Sequence, residues 1–341
     1  MRVLTWVSTA FAVPTTMKAG ALTKRPWDAK IHLENLQQVS VPVPTVKADE
    51  VLIEVAGSSV NPVDWKLIET PLALTWSYPH IFGRDLAGTV AAVGSSVSRL
   101  KVGDKVWADN SQGEGAFGEY VALKAANVGM APTKVPLAAA AVLPLVALTG
   151  LEAMEFAKAP FPAGAVAVVL GGSGGTGHVG VQLARAMGAA KVITTCGTDH
   201  VDFCKGLGAD QVIDYHKDDW HTVIPAQSVD FVYDTVALKG TGDKAYDVLK
   251  DNGAFVTLLQ DGLASKETAA KRPSIRQEFF LTDSTGYERL DKLAALVDQG
   301  KLVPRVDQTF TTAQIAAAFN TSLAGHTAGK ISVVPEKSVL V

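Results

Sequence analysis

The chain has 341 residues, a net charge of −3, 48% apolar residues and 19% charged residues. That length supports two domains with a well-buried core, and the charge balance offers no basic excess for nucleic acid and no charge block for a tail. No apolar run reaches the length of an integral membrane segment, and the two cysteines, Cys196 and Cys204, make neither a disulfide framework nor a four-thiolate zinc site.

Residues 1–16, MRVLTWVSTAFAVPTT, hold one arginine, no acid and several Ser and Thr. They read as an N-terminal extension, either a short targeting peptide or a segment with no role of its own. The expected location is cytoplasmic, with a plastid or another organelle as the alternative if the extension targets the chain. From Met17 to about Val146 the pattern is β-rich. MKAGAL opens it, and Glu50–Val60, Leu86–Gly94 and Asp104–Asn110 follow between Gly, Pro and Asn punctuation. Pro42 and Pro44 place VPVP on a sheet edge or outside a sheet.

From about Ala147 apolar strands alternate with helical stretches. The candidate strands are Ala165–Leu170, Lys191–Thr195, Gln211–Ile213, Val229–Asp234, Ala254–Leu259 and a short Phe279–Leu281. Short continuous apolar runs suit strands covered on both faces, and the alternation predicts an α/β fold with a doubly wound parallel sheet. Glu288–Gly300 is an amphipathic helix ending at glycine, and Leu302–Val334 turns β-like again. The order β, then α/β, then β predicts one domain inserted in another: residues 17–145 and 282–341 form a β domain around a nucleotide-binding domain at 146–281.

Six glycines fall within ten residues at Gly171, Gly172, Gly174, Gly175, Gly177 and Gly180. Gly172-Ser173-Gly174-Gly175-Thr176-Gly177 is G-x-G-x-x-G. It lies between the apolar strand and a helix carrying Val179, Leu183 and Met187 on one face, and Gly188 ends that helix. In that setting the first glycine permits a tight turn, the second lets backbone approach a pyrophosphate, and the third packs helix on strand. An NAD site usually carries an acid at the end of the next strand, but this strand ends Thr195-Cys196-Gly197-Thr198. A 2′-phosphate can be accommodated there by Thr195 and Thr198, with Lys205 adding charge and Asp199 opposing it, so the expected cofactor is NADPH.

At these residues the sequence resembles the zinc-independent medium-chain dehydrogenase/reductase family, in its quinone oxidoreductase and alkenal/enone reductase branch. The resemblance runs through SSVNPVDWKL (Ser58–Leu67), FGRDLAGTVAAVG (Phe82–Gly94), VGDKVWA (Val102–Ala108), GAFGEYVAL (Gly115–Leu123) and ALTGLEAM (Ala147–Met154). It continues through the glycine stretch, LGADQVIDY (Leu207–Tyr215), VDFVYDTV (Val229–Val236) and GHTAGKISV (Gly325–Val333). It implies that the β domain is GroES-like, that the inserted domain is a Rossmann domain, and that a cleft lies between them. Zinc-containing relatives carry a cysteine ligand where this chain has Asn61-Pro62-Val63-Asp64 and Gly-His-Glu where it has Gly83-Arg84-Asp85. Catalytic zinc needs three protein ligands, and none of the seven histidines shows ligand spacing, so no metal is expected.

What remains is hydride transfer to a quinone or to the activated C=C of an α,β-unsaturated carbonyl, with donors aimed at the oxygen where charge develops. The resemblance implies Asn61, Asp64 and Lys66 at the reacting end; Asn61-Pro62 also favours a turn, and Lys66 also reads as a solvated lysine. It implies cofactor contacts from Thr149, from Gly172 through Gly177 with His178 and Val179, from Thr195, Cys196, Gly197 and Thr198, and from Tyr215, Val236 and Lys330. Thr149 reads equally as the N-cap of a helix beginning at Gly150, and Tyr215 as core packing. Trp76, Tyr78 and Phe82 read as an apolar wall, and Asp85 as an organiser of its loop. The expected partner is a small apolar carbonyl or quinone, with no nucleic acid, and the resemblance implies a homodimer through the edge of the cofactor sheet. An enoyl-thioester reductase is the alternative, weakened by Trp65 where a tyrosine acid would be needed; a non-catalytic NADPH-binding protein is another.

Overall fold

The structure is a computed structural model that describes residues 13–28, 30–111, 115–279 and 281–336. Most of the 1–16 extension lies outside the described residues. Eight strands come first: β1 Thr16–Leu22, β2 Leu36–Pro42, β3 Glu50–Val60, β4 His80–Ile81, β5 Asp85–Val93, β6 Lys105–Asp109, β7 Tyr120–Lys124 and β8 Gly129–Met130. Then come β9 Val166–Leu170, β10 Lys191–Cys196, β11 Gln211–Asp214, β12 Val229–Asp234, β13 Leu249–Thr257 and β14 Arg276–Phe279, and last β15 Val306–Thr311 and β16 Lys330–Val334.

The first and last groups share sheets. A three-stranded sheet runs β2-β1-β4, and a seven-stranded sheet runs β15-β16-β3-β5-β6-β8 with β7 paired to β3. Strand β16 pairs antiparallel with β3, so the chain leaves this region after β8 and returns to complete it. Pro42 ends the edge strand β2 and Pro44 lies outside, because proline cannot donate to a ladder.

The middle group is all parallel, in the order β11-β10-β9-β12-β13-β14. Numbered from its own first strand this is 3-2-1-4-5-6, the doubly wound order, with the reversal between β9 and β12. Two helices, Pro144–Phe156 and Gly177–Ala186, cover one face. Val179, Val181 and Leu183 are fully buried there, and Gly150 admits Leu183, whose Cδ1 would stand 2.8 Å from a Cβ at that glycine. The 145–146 boundary falls inside the first turn of helix Pro144–Phe156.

Two elements differ from expectation. The last strand of this sheet is Arg276–Phe279 rather than Phe279–Leu281; Leu281 is exposed and Phe280 lies outside the described residues. β14 is an edge strand whose Arg276 guanidinium rests over the Phe156 ring and whose Gln277 bonds to Ala264, so it needs no apolar run. Thr149 sits within the helix Pro144–Phe156 and is no N-cap, because Pro144 at the first turn starts that helix earlier. No described helix is long and apolar enough to cross a membrane.

Candidate functional site

The strand order reverses between β9 and β12, and in such sheets ligands bind outside the carboxyl ends of the strands at that switch point. β9 ends at Leu170, and Gly171 turns with φ +77° into the glycine loop. The loop is tied back by Thr195, whose hydroxyl accepts from the Gly171 N–H at 2.9 Å and whose carbonyl accepts from the Gly172 N–H at 2.9 Å. A Cβ at Gly172 would lie 2.0 Å from the Thr194 hydroxyl, and one at Gly177 would lie 2.0 Å from the Gly171 carbonyl. These two glycines are required by the protein's own packing. Gly174 differs: the nearest atom to a Cβ there is the Gly171 carbonyl at 3.3 Å. The open side of the loop is therefore a backbone cradle at the start of helix Gly177–Ala186, where free N–H groups favour an anion.

His178 and Val179 are buried in that first turn. The His178 Nδ1 lies 3.2 Å from the Gly174 carbonyl, its Nε2 is buried with no partner among the described residues, and burial holds the ring down at about 4, so it stays neutral. Ser173 accepts from the Gly329 N–H at 2.8 Å, which docks the segment before Lys330 onto the loop. The cradle fits the pyrophosphate of a dinucleotide. Val236 flanks Gly171, and Tyr215, exposed rather than packed in the core and tilted at 53° against His216, brings its hydroxyl 3.2 Å from a Cβ position at Gly197.

At the carboxyl end of β10, where a 2′-phosphate was expected, the hydroxyls are already engaged. Thr195 serves Gly171, and Thr198 donates to Asp214 at 2.7 Å. Asp214, level with Cys196 across β10 and β11, was not among the expected residues. The Thr198 hydroxyl, the His216 N–H and Lys217 pull its carboxyl down to about 2. Lys205 pairs on the surface with Asp202.

Opposite the cradle, the other region contributes a cluster of buried polar side chains. Asp85, fully buried, accepts from the Ser59 hydroxyl at 2.6 Å, the Asn61 amide at 2.8 Å and the Leu145 N–H at 2.6 Å. The Lys330 ammonium lies 3.3 Å from the same carboxylate and also donates to Asn61 Oδ1 and to the Val60 carbonyl. Asn61 is thus turned so that its amide nitrogen meets the acid and its oxygen meets the amine. Its N–H donates to Asp64 at 2.7 Å, which starts the short helix Pro62–Lys66. Lys66 is exposed, with its amine over the Trp65 ring. Arg84 grips Asp109 with two bonds, at 2.8 and 2.6 Å, and Ser284 bridges the pair. Thr149 donates to the Leu145 carbonyl and meets the Thr282 hydroxyl at 2.6 Å. Burial first, and then the Asp85 charge, push the Asp64 carboxyl up to about 7.

The structure therefore brings Asn61, Asp64 and Lys330 together and holds Lys66 at the surface. Ser59, Asp109, Thr282 and Ser284 escaped the sequence reading, because Ser and Thr give no spacing signal and Asp109 meets its partners Arg84 and Ser284 only in the fold. The donor set does not fit a zinc ion. The cluster offers neither Cys nor His, and two cations already take Asp85 and Asp109. Among the described residues no group of three or more His, Cys, Asp or Glu could hold a metal. The aromatic wall is present: Trp76 stacks on His80 at 4.2 Å and meets Phe82 edge-on, Phe82 packs on Phe319, and Tyr78 donates to the Ala73 carbonyl.

Comparison with known proteins agrees with this architecture. Residues 47–133 match the family described as alcohol dehydrogenase GroES-like domain, and residues 207–333 match that described as zinc-binding dehydrogenase. The 2-methylene-furan-3-one reductase of Solanum lycopersicum is 35% identical, over 96% of this chain and 81% of its own. The NADPH-dependent alkenal/one oxidoreductase, chloroplastic, of Arabidopsis thaliana is 33% identical over 95% of this chain and 81% of its own. The solved quinone oxidoreductase of Coxiella burnetii superposes with a TM-score of 0.82 at 29% identity, covering 94% of this chain and 99% of that one.

Proposed function

The chain belongs to the medium-chain dehydrogenase/reductase family and is an oxidoreductase of it, and on that premise we propose that it uses NADPH to reduce the activated C=C of small α,β-unsaturated carbonyl compounds, with quinones as further acceptors. The observation that carries this reading is the pairing of an open backbone cradle with a cluster whose cations are spent on carboxylates. Such a site supplies no Lewis acid from its own side chains, so the acceptor must be electrophilic already.

In this reading Gly172 through Val179, Thr195, Cys196, Gly197, Thr198, Tyr215 and Val236 hold the dinucleotide, and Thr149 and Lys330 stand toward its nicotinamide end. Bound there, the cofactor supplies a hydride. Asn61 and Asp64 set the polar side of the reaction space, Lys66 guards its rim, and Trp76, Tyr78 and Phe82 shape its apolar side. With Lys330 set against Asp85 and Arg84 against Asp109, the cluster offers no surplus cation to an anionic substrate, which favours a neutral apolar one. The relatives named as a furanone reductase and an alkenal/one oxidoreductase support the same class. Self-association is proposed along β14, the last strand in the order of the cofactor sheet.

The test is NADPH consumption, with NADH in parallel, against 2-alkenals, enones, 1,4-quinones, a crotonyl thioester and a simple ketone, with product analysis. Saturation of the C=C bond by NADPH is the expected result. Turnover of the thioester or the ketone alone would move the function to another substrate class, and cofactor binding without turnover would leave a non-catalytic protein.

A further inference from the structure

Five charged side chains gather around Asn61: Asp64, Asp85 and Asp109 against Arg84 and Lys330. Lys330 is committed to Asp85 and Arg84 to Asp109. Asp64 is the third carboxyl. It is 3% exposed, forms no ion pair among the described residues, and is held by the backbone N–H of Asn61. An unpaired carboxylate in such surroundings is the costliest charge of the set, and a buried acid relieves that cost by keeping its proton.

We propose that Asp64 is the proton store of this site, the carboxyl that gives the proton completing the reduction and recovers one from solvent, with Asp85 and Lys330 as its positioning residues. This rests on the reductase reading above. In the reduction of an enone, hydride forms a C–H bond at the β-carbon, the substrate gains two electrons and the dinucleotide is oxidised. An enolate is left. The Asp64 O–H bond then breaks, a C–H bond forms at the α-carbon, and water returns a proton to the carboxylate. For a quinone the same proton goes to the phenolate oxygen.

The surroundings of Asp64 support this. Burial and Asp85 raise its titration to about 7, while the Asn61 N–H, Lys330 and Arg84 hold it down. Asp85 faces it from β5, Arg84 from the preceding loop with Asp109 of β6 behind, and Lys330 from β16. The packed helix Ile315–Ala324 carries no titratable side chain, and Lys66 and Glu69 of its own segment are exposed.

The experiment is infrared titration of the purified chain without dinucleotide, between about pH 5 and pH 9, for wild type, Asp64→Asn, Asp85→Asn and Lys330→Gln. Wild type is expected to show the carbonyl stretch of an un-ionised carboxylic acid fading with a midpoint near 7, and Asp64→Asn is expected to lack it. Removing the like charge in Asp85→Asn lowers the midpoint, and removing the cation in Lys330→Gln raises it, each by on the order of tenfold in proton affinity. A purely structural role gives no such opposite shifts from two variants of one network. With an enone, Asp64→Asn lowers kcat by about a hundredfold or more, and the fall of wild-type kcat with rising pH follows the infrared midpoint. Asp64→Asn is isosteric, so the outcome is readable even if the other two variants fail to fold. A titrating band that persists in Asp64→Asn, or wild-type kcat and pH profile in that variant, overturns the proton store and leaves the reductase reading standing. A normal titration in a wild-type protein that turns over no acceptor overturns the reductase reading, and the donor role with it.

Discussion

The glycine loop and the Asp85 cluster are built in opposite ways. The loop is contiguous backbone: Gly172 through Gly177 make the cradle, and its shape depends on where side chains are missing. The cluster is mainly side chains: Ser59 with Asn61, Asp85 and Lys330 arrive from three separate segments, the Leu145 N–H joins from a fourth, and its shape depends on who meets whom. The contact between the two regions is narrow, a Gly329 N–H on Ser173 and the Lys330 stem 3.2 Å from a Cβ position at Gly175. A backbone site tolerates no added atom where the chain folds on itself. A side-chain site tolerates no missing charge. Each therefore has its own way of failing.

The largest effect is expected from Asp85→Ala. It leaves the Lys330 ammonium buried without its acid and should cost about 3–5 kcal/mol in urea denaturation, whereas Asp85→Asn should cost less. A wild-type midpoint for Asp85→Ala would mean that the cluster is not a unit.

Next comes the pH dependence set by Asp64. Its carboxyl titrates at about 7 in the folded chain against 3.8 as the ordinary value. The folded state then binds the proton more tightly, so this contribution is full below 3.8 and is lost as pH rises through about 7. Wild-type stability relative to Asp64→Asn should fall across that window by up to about 4 kcal/mol. Thermal melts at several pH values check it, and a flat difference would show that Asp64 is ionised throughout.

The loop itself gives the third contrast. Gly177→Ala should destabilise by roughly 1–3 kcal/mol, because its Cβ meets a carbonyl. Gly174→Ala should stay within about 1 kcal/mol while weakening NADPH binding about tenfold or more. Fluorescence titration beside a melt separates the two, and equal stability losses would remove the distinction between self-packing and ligand-facing glycines. The smallest effect belongs to Thr149→Val, which loses the bond to Thr282 and should cost about 0.5–1.5 kcal/mol in denaturation.

The parallel strands, the helix at Gly177–Ala186 and the loop were legible because each is announced locally. Continuous apolar runs mark covered strands, the positions of Val179 and Leu183 mark a helix face, and glycine marks a turn where no Cβ fits. β14 was misplaced because an edge strand carrying Arg276 and Gln277 lacks that apolar run. Asn61, Asp64 and Lys330 were picked out singly from the family resemblance, with no means of seeing that one carboxylate, Asp85, gathers Asn61 and Lys330. Asp214 was missed because it lies one strand further than the ribose-binding acid is normally sought.

By itself the sequence determined the doubly wound α/β sheet, the surrounding β region and the glycine loop where no Cβ fits, since these depend on periodicity and on the room around one atom. Only the tertiary structure decided that Lys330 neutralises Asp85, that Arg84 neutralises Asp109, and that Asp64 is left over. Charge balance inside a low-dielectric cluster is a property of groups brought together from residues 59 to 330, and no local pattern encodes it.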